Sequence, residues 1–227
     1  DNQVTMLRVD NTFSGLNLAM PIGIKNTLRI RTGKINNPSS SLITLGDSLT
    51  AGILSTDPTN DQWWPETPFD GDITSWDGGY VTGPFRRWFE DMSTSQEAIM
   101  PVGKGNDMHP CGIYFSNTAG GFVTAEYQEQ QPGVAGLPLT NEQNTSIGFV
   151  SPDGFWNVTS TNATGTYTMA VDASGFTTDG VEPITSTSSV RLIKRPTNGA
   201  WQNSGSSTTS GPLSMNNVKA EGLTSFS

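Results

Sequence analysis

Apolar and polar positions alternate over short stretches of this chain, the spacing of strands that bury one face. Val4-Thr5-Met6-Leu7-Arg8-Val9 and Thr27-Leu28-Arg29-Ile30-Arg31 read this way, with Asp10-Asn11 and Gly33 as punctuation, and predict a β-rich unit over residues 1–35. The polar loop Asn36-Asn37-Pro38-Ser39-Ser40-Ser41 leads to a further short strand, Leu42-Ile43-Thr44-Leu45, that stops at the turn signal Gly46-Asp47. Beyond Ile113 the pattern predicts strands at 148–150, 167–172 and 189–194, divided by Gly, Asp, Asn and Pro clusters.

Three stretches depart from alternation. Pro58, Pro65 and Pro68, with Trp63-Trp64 and Asp70-Gly71-Asp72 among them, forbid a helix of normal length and predict a long loop carrying aromatic plugs. Pro84 suits a first helical position. Phe85, Trp88, Phe89 and Met92 then fall on one face and Arg86, Arg87, Glu90 and Asp91 on the other, so a short amphipathic helix is expected near 84–98, its aromatic stripe serving the core. Residues 198–211 are rich in Gly, Ser and Thr, as in a flexible linker, before a semi-apolar pattern resumes over 212–221. The expected fold is mainly β, with short antiparallel strands, long loops and that one helix. Its expected parts are an N-terminal β-rich unit (1–35), a main β-rich domain (36–200) and a flexible linker with a docking tail (201–227).

Composition narrows the function. At 227 residues the chain is one domain or two small ones, and its 33% apolar and 15% charged content suits many short strands and turns. A net charge of −9 argues against a phosphate-backbone partner, so no nucleic acid is expected. One cysteine, Cys111, and one histidine, His109, cannot supply a closed Cys/His zinc site. The best apolar run, from Leu16 to Ile24, is cut by Asn17 and Pro21; no membrane insertion and a soluble chain are expected. Asp1-Asn2-Gln3-Val4 has neither the charged nor the apolar region of a signal peptide.

Leu42-Ile43-Thr44-Leu45-Gly46-Asp47-Ser48-Leu49-Thr50-Ala51-Gly52 resembles the first block of the GDSL (SGNH) esterase family. The resemblance implies Ser48 as a nucleophile at a strand-to-helix turn, its amide sharing an oxyanion hole with a later Gly and a later Asn. Gly83, or Gly78 and Gly79, and then Asn106 follow in the family's order. The family's base belongs to an Asp-x-x-His pair near the end of the domain, and His109, three residues after Asn106, is the chain's one candidate. One loop does not readily set an oxyanion donor and a base on opposite sides of a serine, so no catalytic set is favoured.

Asp70, Asp72 and Asp77, with glycines between, could wrap a hard cation, but the stretch lacks an EF-hand's sixth-position Gly and twelfth-position Glu. A solvated acidic turn is the stronger reading, and neither a metal nor a cofactor is expected. Acceptor triplets at Asn144, Asn157 and Asn162 arise freely in so Ser- and Thr-rich a chain.

Ser210-Gly211-Pro212-Leu213-Ser214-Met215-Asn216-Asn217-Val218-Lys219-Ala220-Glu221 resembles a segment that recurs in virion proteins of tailed bacteriophages, where a Ser/Gly stretch precedes a short apolar ladder. A ladder too short to fold alone suits docking on a neighbour through Leu213, Met215 and Val218. The order of Gly154-Phe155-Trp156-Asn157-Val158-Thr159-Ser160, then Tyr167 to Phe176 with its Ser-Gly-aromatic end, then Ser188-Ser189-Val190-Arg191-Leu192-Ile193-Lys194 is similar to the end of C-type-lectin-like domains. These features lead to the expectation of a structural subunit of a tailed-bacteriophage virion, in the tail, baseplate, fibre or capsid exterior. It would form a homo-oligomer, assemble with other virion proteins and reach a host-surface glycan or receptor. The alternatives are an SGNH-type carbohydrate esterase, intact or degenerate, and a C-type-lectin-like receptor-binding module.

Overall fold

The structure, a computed structural model, describes residues 2–11, 14–50, 52–55, 78–141, 144–186, 190–203, 218–224 and 226. The expected aromatic loop with Trp63 and Trp64, the acidic trio Asp70, Asp72 and Asp77, and the docking residues Leu213 and Met215 lie outside these. The described residues form strands and no helix.

The N-terminal half winds. Strands β1 (Gln3–Asp10) and β2 (Leu16–Asn17) make a first turn of chain, and β3 (Ile22–Thr32) and β4 (Lys34–Asn36) a second. A third holds β5 (Ile43–Leu45), β6 (Ile53–Ser55) and β7 (Tyr80–Val81), and β8 (Phe85–Met92) opens a fourth. β1, β3, β5 and β8 pair in parallel in that order, β6 continues beside β3 where β5 stops, and β2, β4 and β7 build a second parallel sheet. Partners lie about 20 residues apart wherever no longer excursion intervenes: Gln3 beside Gly23, Leu16 beside Ile35, Ile22 beside Ile43, Val81 beside Val102. This is a short parallel solenoid, each turn of which buries its apolar row only by stacking on the next.

The rows are explicit. Leu16, Ile35, Val81 and Val102 form one aliphatic ladder, and its last three members are fully buried. Each such side chain contributes about 1.5–3 kcal/mol by leaving water. The corners have to be narrow for the turns to stack. Gly33 turns from β3 into β4 at φ 82°, and a Cβ there would stand 1.6 Å from the Asn11 carbonyl oxygen of the turn before, so no other residue fits.

After β8 the chain changes from winding to folding back. It runs through β9 (Gln96–Met100), a hairpin of β10 (Gly103–Lys104) and β11 (Asp107–Met108), then β12 (Cys111–Phe115) and β13 (Thr118–Gln128). A second small hairpin, β14 (Leu139–Thr140) and β15 (Ser146–Ile147), precedes β16 (Phe155–Thr161), β17 (Tyr167–Val171) and β18 (Val218–Leu223). β13 joins β8 antiparallel and β16 joins β13, completing a seven-stranded sheet; β18, β17, β12 and β9 form a separate antiparallel sheet. Phe89 on β8 meets Phe115 on β12 edge-on at 5.0 Å, closing the core between the two sheets.

The fold class agrees with the mainly β expectation, but the helix over 84–98 is corrected to a strand. Along β8, Phe85, Arg87 and Phe89 are buried, while Arg86, Trp88 and Glu90 are half-buried on the other face. There Phe122 of β13 packs edge-on against Trp88 at 4.8 Å and lies under the Arg86 guanidinium at 4.5 Å. The aromatic stripe imitates helical spacing because a charged residue occupies an inward position. Runs 148–150 and 190–193 form no ladder, and Lys194 has one isolated bridge, to Gln202. Their branched residues fit a half-buried surface without joining a sheet. Ladders from β3 to β5 and from β4 to β7 cross the expected boundary at residue 35. Residues 218–223 lie inside the fold: β18 pairs with β17, Val218, Ala220 and Leu223 are buried, and beyond them Phe226 stacks on Tyr167 at 4.2 Å.

Arg87 is the structure's main electrostatic cost. It shares a row with Ile24, Leu45 and Val123 and is 2% exposed. Its guanidinium donates to the carbonyl oxygens of Gly52 at 3.1 Å and Ile99 at 3.4 Å. Burial pulls its pKa down to about 10 against the opposing charge of Glu97. We predict that Arg87→Ala, which leaves a cavity and a carboxylate without its countercharge, lowers unfolding free energy by about 3–5 kcal/mol in urea titrations.

Alkali provides a second check. Burial raises the phenols of Tyr80, Tyr127 and Tyr167 and the thiol of Cys111 above their ordinary values of 10.0 and 9.0. Unfolded, these groups ionise first, so their contribution is complete below pH 9 and is lost as pH rises past the unfolded values. Arg86, Arg87 and Lys194 work the other way, because burial holds their folded pKa below the ordinary value and alkali relieves it. The thiol and phenols have the lowest ordinary values of the seven and are the first to ionise in the unfolded chain, so we expect melting temperature to hold through neutral pH and to begin falling at about pH 9.

Candidate functional site

The serine motif is a tight turn. β5 ends at Leu45, Gly46 takes φ 78°, and the amide of Asp47 donates to the Thr50 carbonyl at 2.9 Å while the amide of Thr50 returns a bond to Asp47 at 3.2 Å. Asp47 Oδ1 also accepts from the amides of Leu49 and Thr50 at 2.9 and 3.0 Å. Ser48 and Leu49 form the exposed tip, Leu49 at 91% exposure, and the chain goes on to strand β6 instead of a helix. Asp47 therefore serves as the side-chain acceptor that holds a turn, a role Asp fills in any fold.

The other residues implied by the esterase resemblance are occupied elsewhere. The amide of Gly79 donates to Ile30 O and that of Gly83 to Asn37 Oδ1, both at 3.0 Å. Asn106 sits in the β10–β11 turn, where its Oδ1 accepts from Lys34 Nζ at 3.1 Å. His109 belongs to an aromatic cluster, its ring 4.3 Å from Tyr127 and 5.4 Å from Phe176, with Nδ1 3.3 Å from Asp172 O. Trp156 Nε1 donates to the His109 carbonyl at 2.8 Å and its ring stacks on Phe176.

Strand register measures the separation. Leu45, the last residue of β5, pairs with Arg87, whereas Tyr127 lies two residues beyond the Ala125–Phe85 pair in the opposite direction. Four residues of strand, roughly 13 Å, divide the two levels. Ser48 leaves the sheet on the far side of the first level, and His109 packs at the second.

Sequence patterning did not single out Asp153, which pins the loop after the aromatic cluster. Burial pushes its carboxyl up, but bonds from Ser151 Oγ and from Thr177 N and Oγ1, with the charge of His109, hold it below its ordinary value. Val218, the described member of the expected docking trio, is 3% exposed and paired with Val171 within the chain.

The surface best placed for assembly is the first turn of the solenoid. β1 pairs with β3 on one side and is the outermost strand of its sheet. Val4, Leu7 and Val9 continue the rows of Ile24, Leu28 and Ile30 one step further, and no other described strand pairs with β1. Val4 is 37% and Met6 48% exposed, and Met20 on the turn below is 56% exposed. β1 carries neither Lys nor Pro, the residues that commonly guard an edge. Its charges are tied down locally: Asp10 Oδ2 lies 3.5 Å from Arg8 and 3.4 Å from Arg31, and Oδ1 accepts from Thr32 Oγ1 at 2.9 Å. Bonding from Thr32, then the pull of Arg31 and Arg8, holds the Asp10 carboxyl below its ordinary value.

No family model, curated protein or solved structure matches this chain. We predict that the protein hydrolyses p-nitrophenyl acetate and acetylated oligosaccharides no faster than its Ser48→Ala variant does. Turnover abolished by both Ser48→Ala and His109→Ala would reverse that expectation.

Proposed function

We propose that the chain is a structural subunit of a tailed-bacteriophage virion and acts through protein–protein assembly, with itself and with other virion proteins. The observation that carries this reading is the edge of β1, with which no other described strand pairs. β1 presents backbone donors and acceptors, with Val4 exposed in line with the buried Ile24, Leu45 and Arg87, and Met6 exposed beside the buried Thr27. A parallel stack gains stability with each added turn, and a strand edge with exposed donors and acceptors is a template for another strand. The phage resemblance of residues 210–221 and the acidic, Gly- and Ser-rich composition support the same reading. The flexible linker and docking tail expected over residues 201–227 are not required for it, since β18 seats part of that segment against β17.

Charging the edge tests the proposal. Sedimentation velocity across a concentration series should show self-association, or a pull-down should retain neighbouring virion proteins. The double variant Val4→Lys/Met6→Lys should weaken association by about tenfold or more, with far-UV circular dichroism unchanged. A protein that stays strictly monomeric and binds no neighbouring virion protein overturns the reading.

A further inference from the structure

The outer face of the seven-stranded sheet carries an arginine placed quite unlike Arg87. Gly23, Thr44, Arg86, Thr124 and Thr159 pair in succession across β3, β5, β8, β13 and β16, so they share one row. That row points away from the core, because the alternate row of Ile24, Leu45, Arg87 and Val123 is the buried one. Five strands at the usual spacing make it roughly 19 Å long. Arg86 is its one long side chain, and Trp88 and Phe122 form a pair two residues along on the same face. Thr44, Arg86, Trp88, Phe122 and Thr124 are half-buried, and Thr159 is exposed.

Arg86 is held where it stands. Its Nε donates to Thr44 Oγ1 at 3.1 Å and its guanidinium lies over the Phe122 ring at 4.5 Å, while Trp88 packs edge-on against that ring at 4.8 Å. These contacts leave Nη1 and Nη2 of Arg86, and Nε1 of Trp88, with no acceptor among the described residues. The carboxylates of the same face do not neutralise the charge. Neither Glu90 nor Glu126 pairs with it, and Glu126, at 8% exposure, accepts from Ser39 Oγ at 3.3 Å. Burial holds the Arg86 guanidinium below its ordinary value with no carboxylate opposing the shift, the condition that a bound anion relieves.

We propose that this face binds an acidic sugar, its carboxylate taking the two Nη groups of Arg86, the apolar side of its ring lying on Trp88 and its hydroxyls meeting Thr124 and Thr159. Each part of the surface answers one part of such a residue. The outer edge of a guanidinium matches a carboxylate with two parallel hydrogen bonds. An indole offers apolar area with an N–H at its rim, and threonine hydroxyls both donate and accept. A bare carboxylate leaves the aromatic pair unused, and a neutral sugar leaves the charge unpaired. The face of β8 and β13 and the edge of β1 are different surfaces, so this site stands or falls separately from the assembly reading.

The test uses the full chain and titration calorimetry. Trigalacturonate, a linear trimer of galacturonic acid, should bind saturably at one molecule per chain. Maltotriose, a neutral trimer, and propionate, a carboxylate without a sugar, should each bind about tenfold more weakly or worse. Arg86→Gln should weaken trigalacturonate by about tenfold and leave maltotriose unchanged, with far-UV circular dichroism unaltered. Trp88→Ala should weaken both sugars; should it fail to fold, Arg86→Gln still decides the matter. The proposal is overturned if trigalacturonate does not saturate, if maltotriose or propionate binds as tightly, or if Arg86→Gln binds trigalacturonate unchanged.

Discussion

Parallel register between successive turns is the constraint on which the structure depends. Ile24 meets Leu45, and Leu45 meets Arg87, only because each turn brings the chain back to the same level of the stack. A slip of one residue would send every inward side chain outward. Irregularities are accordingly taken up where they do least harm. β1 and β3 absorb a shift between Val4 and Met6 and another between Val9 and Asp10, and Tyr80 pairs with Lys34 although 24 residues of sequence separate β6 from β7. The ladders before and after that interval stay in phase.

Arg87 shows what such a scaffold tolerates. A guanidinium in an aliphatic row is unfavourable alone, yet two backbone carbonyls and the charge of Glu97 surround it. Gly52 follows the serine turn and Ile99 belongs to β9, so Arg87 links the third turn of the solenoid to the antiparallel half. The junction between winding and folding back is thus fastened by directional bonds, while the rest of the row is held by packing alone.

Much of the β character could be read from alternation, which β5 keeps, with Ile43 and Leu45 buried about a half-buried Thr44, and which β3 and β17 keep in part, since Thr27–Ile30 and Met169–Val171 are buried in succession. β8 could not, since Arg87 points inward and Trp88 and Phe89 sit side by side on opposite faces. The solenoid repeat was also hidden in the sequence. Its rows keep aliphatic character without keeping residue identity, and the 24 residues of sequence between β6 and β7 break the spacing. Of the candidate sites, Gly46-Asp47-Ser48 was visible for a reason shared by turns and nucleophile motifs: each needs a glycine and a short polar side chain at a sharp bend. Val190, Leu192 and Ile193 were read as a strand from their branched side chains, whereas those residues wall a cavity that only the tertiary structure creates.

The order of synthesis gives the β17–β18 pairing a further consequence. β17 is made while its partner is still 46 residues away, so as the chain emerges β17 has β12 along one edge and nothing yet along the other. For that interval the nascent protein carries a free strand edge, the feature that invites misassociation between neighbouring chains on one message. Slow translation through residues 172–217 would lengthen the exposure, and a ribosome-bound chaperone would find its natural target there.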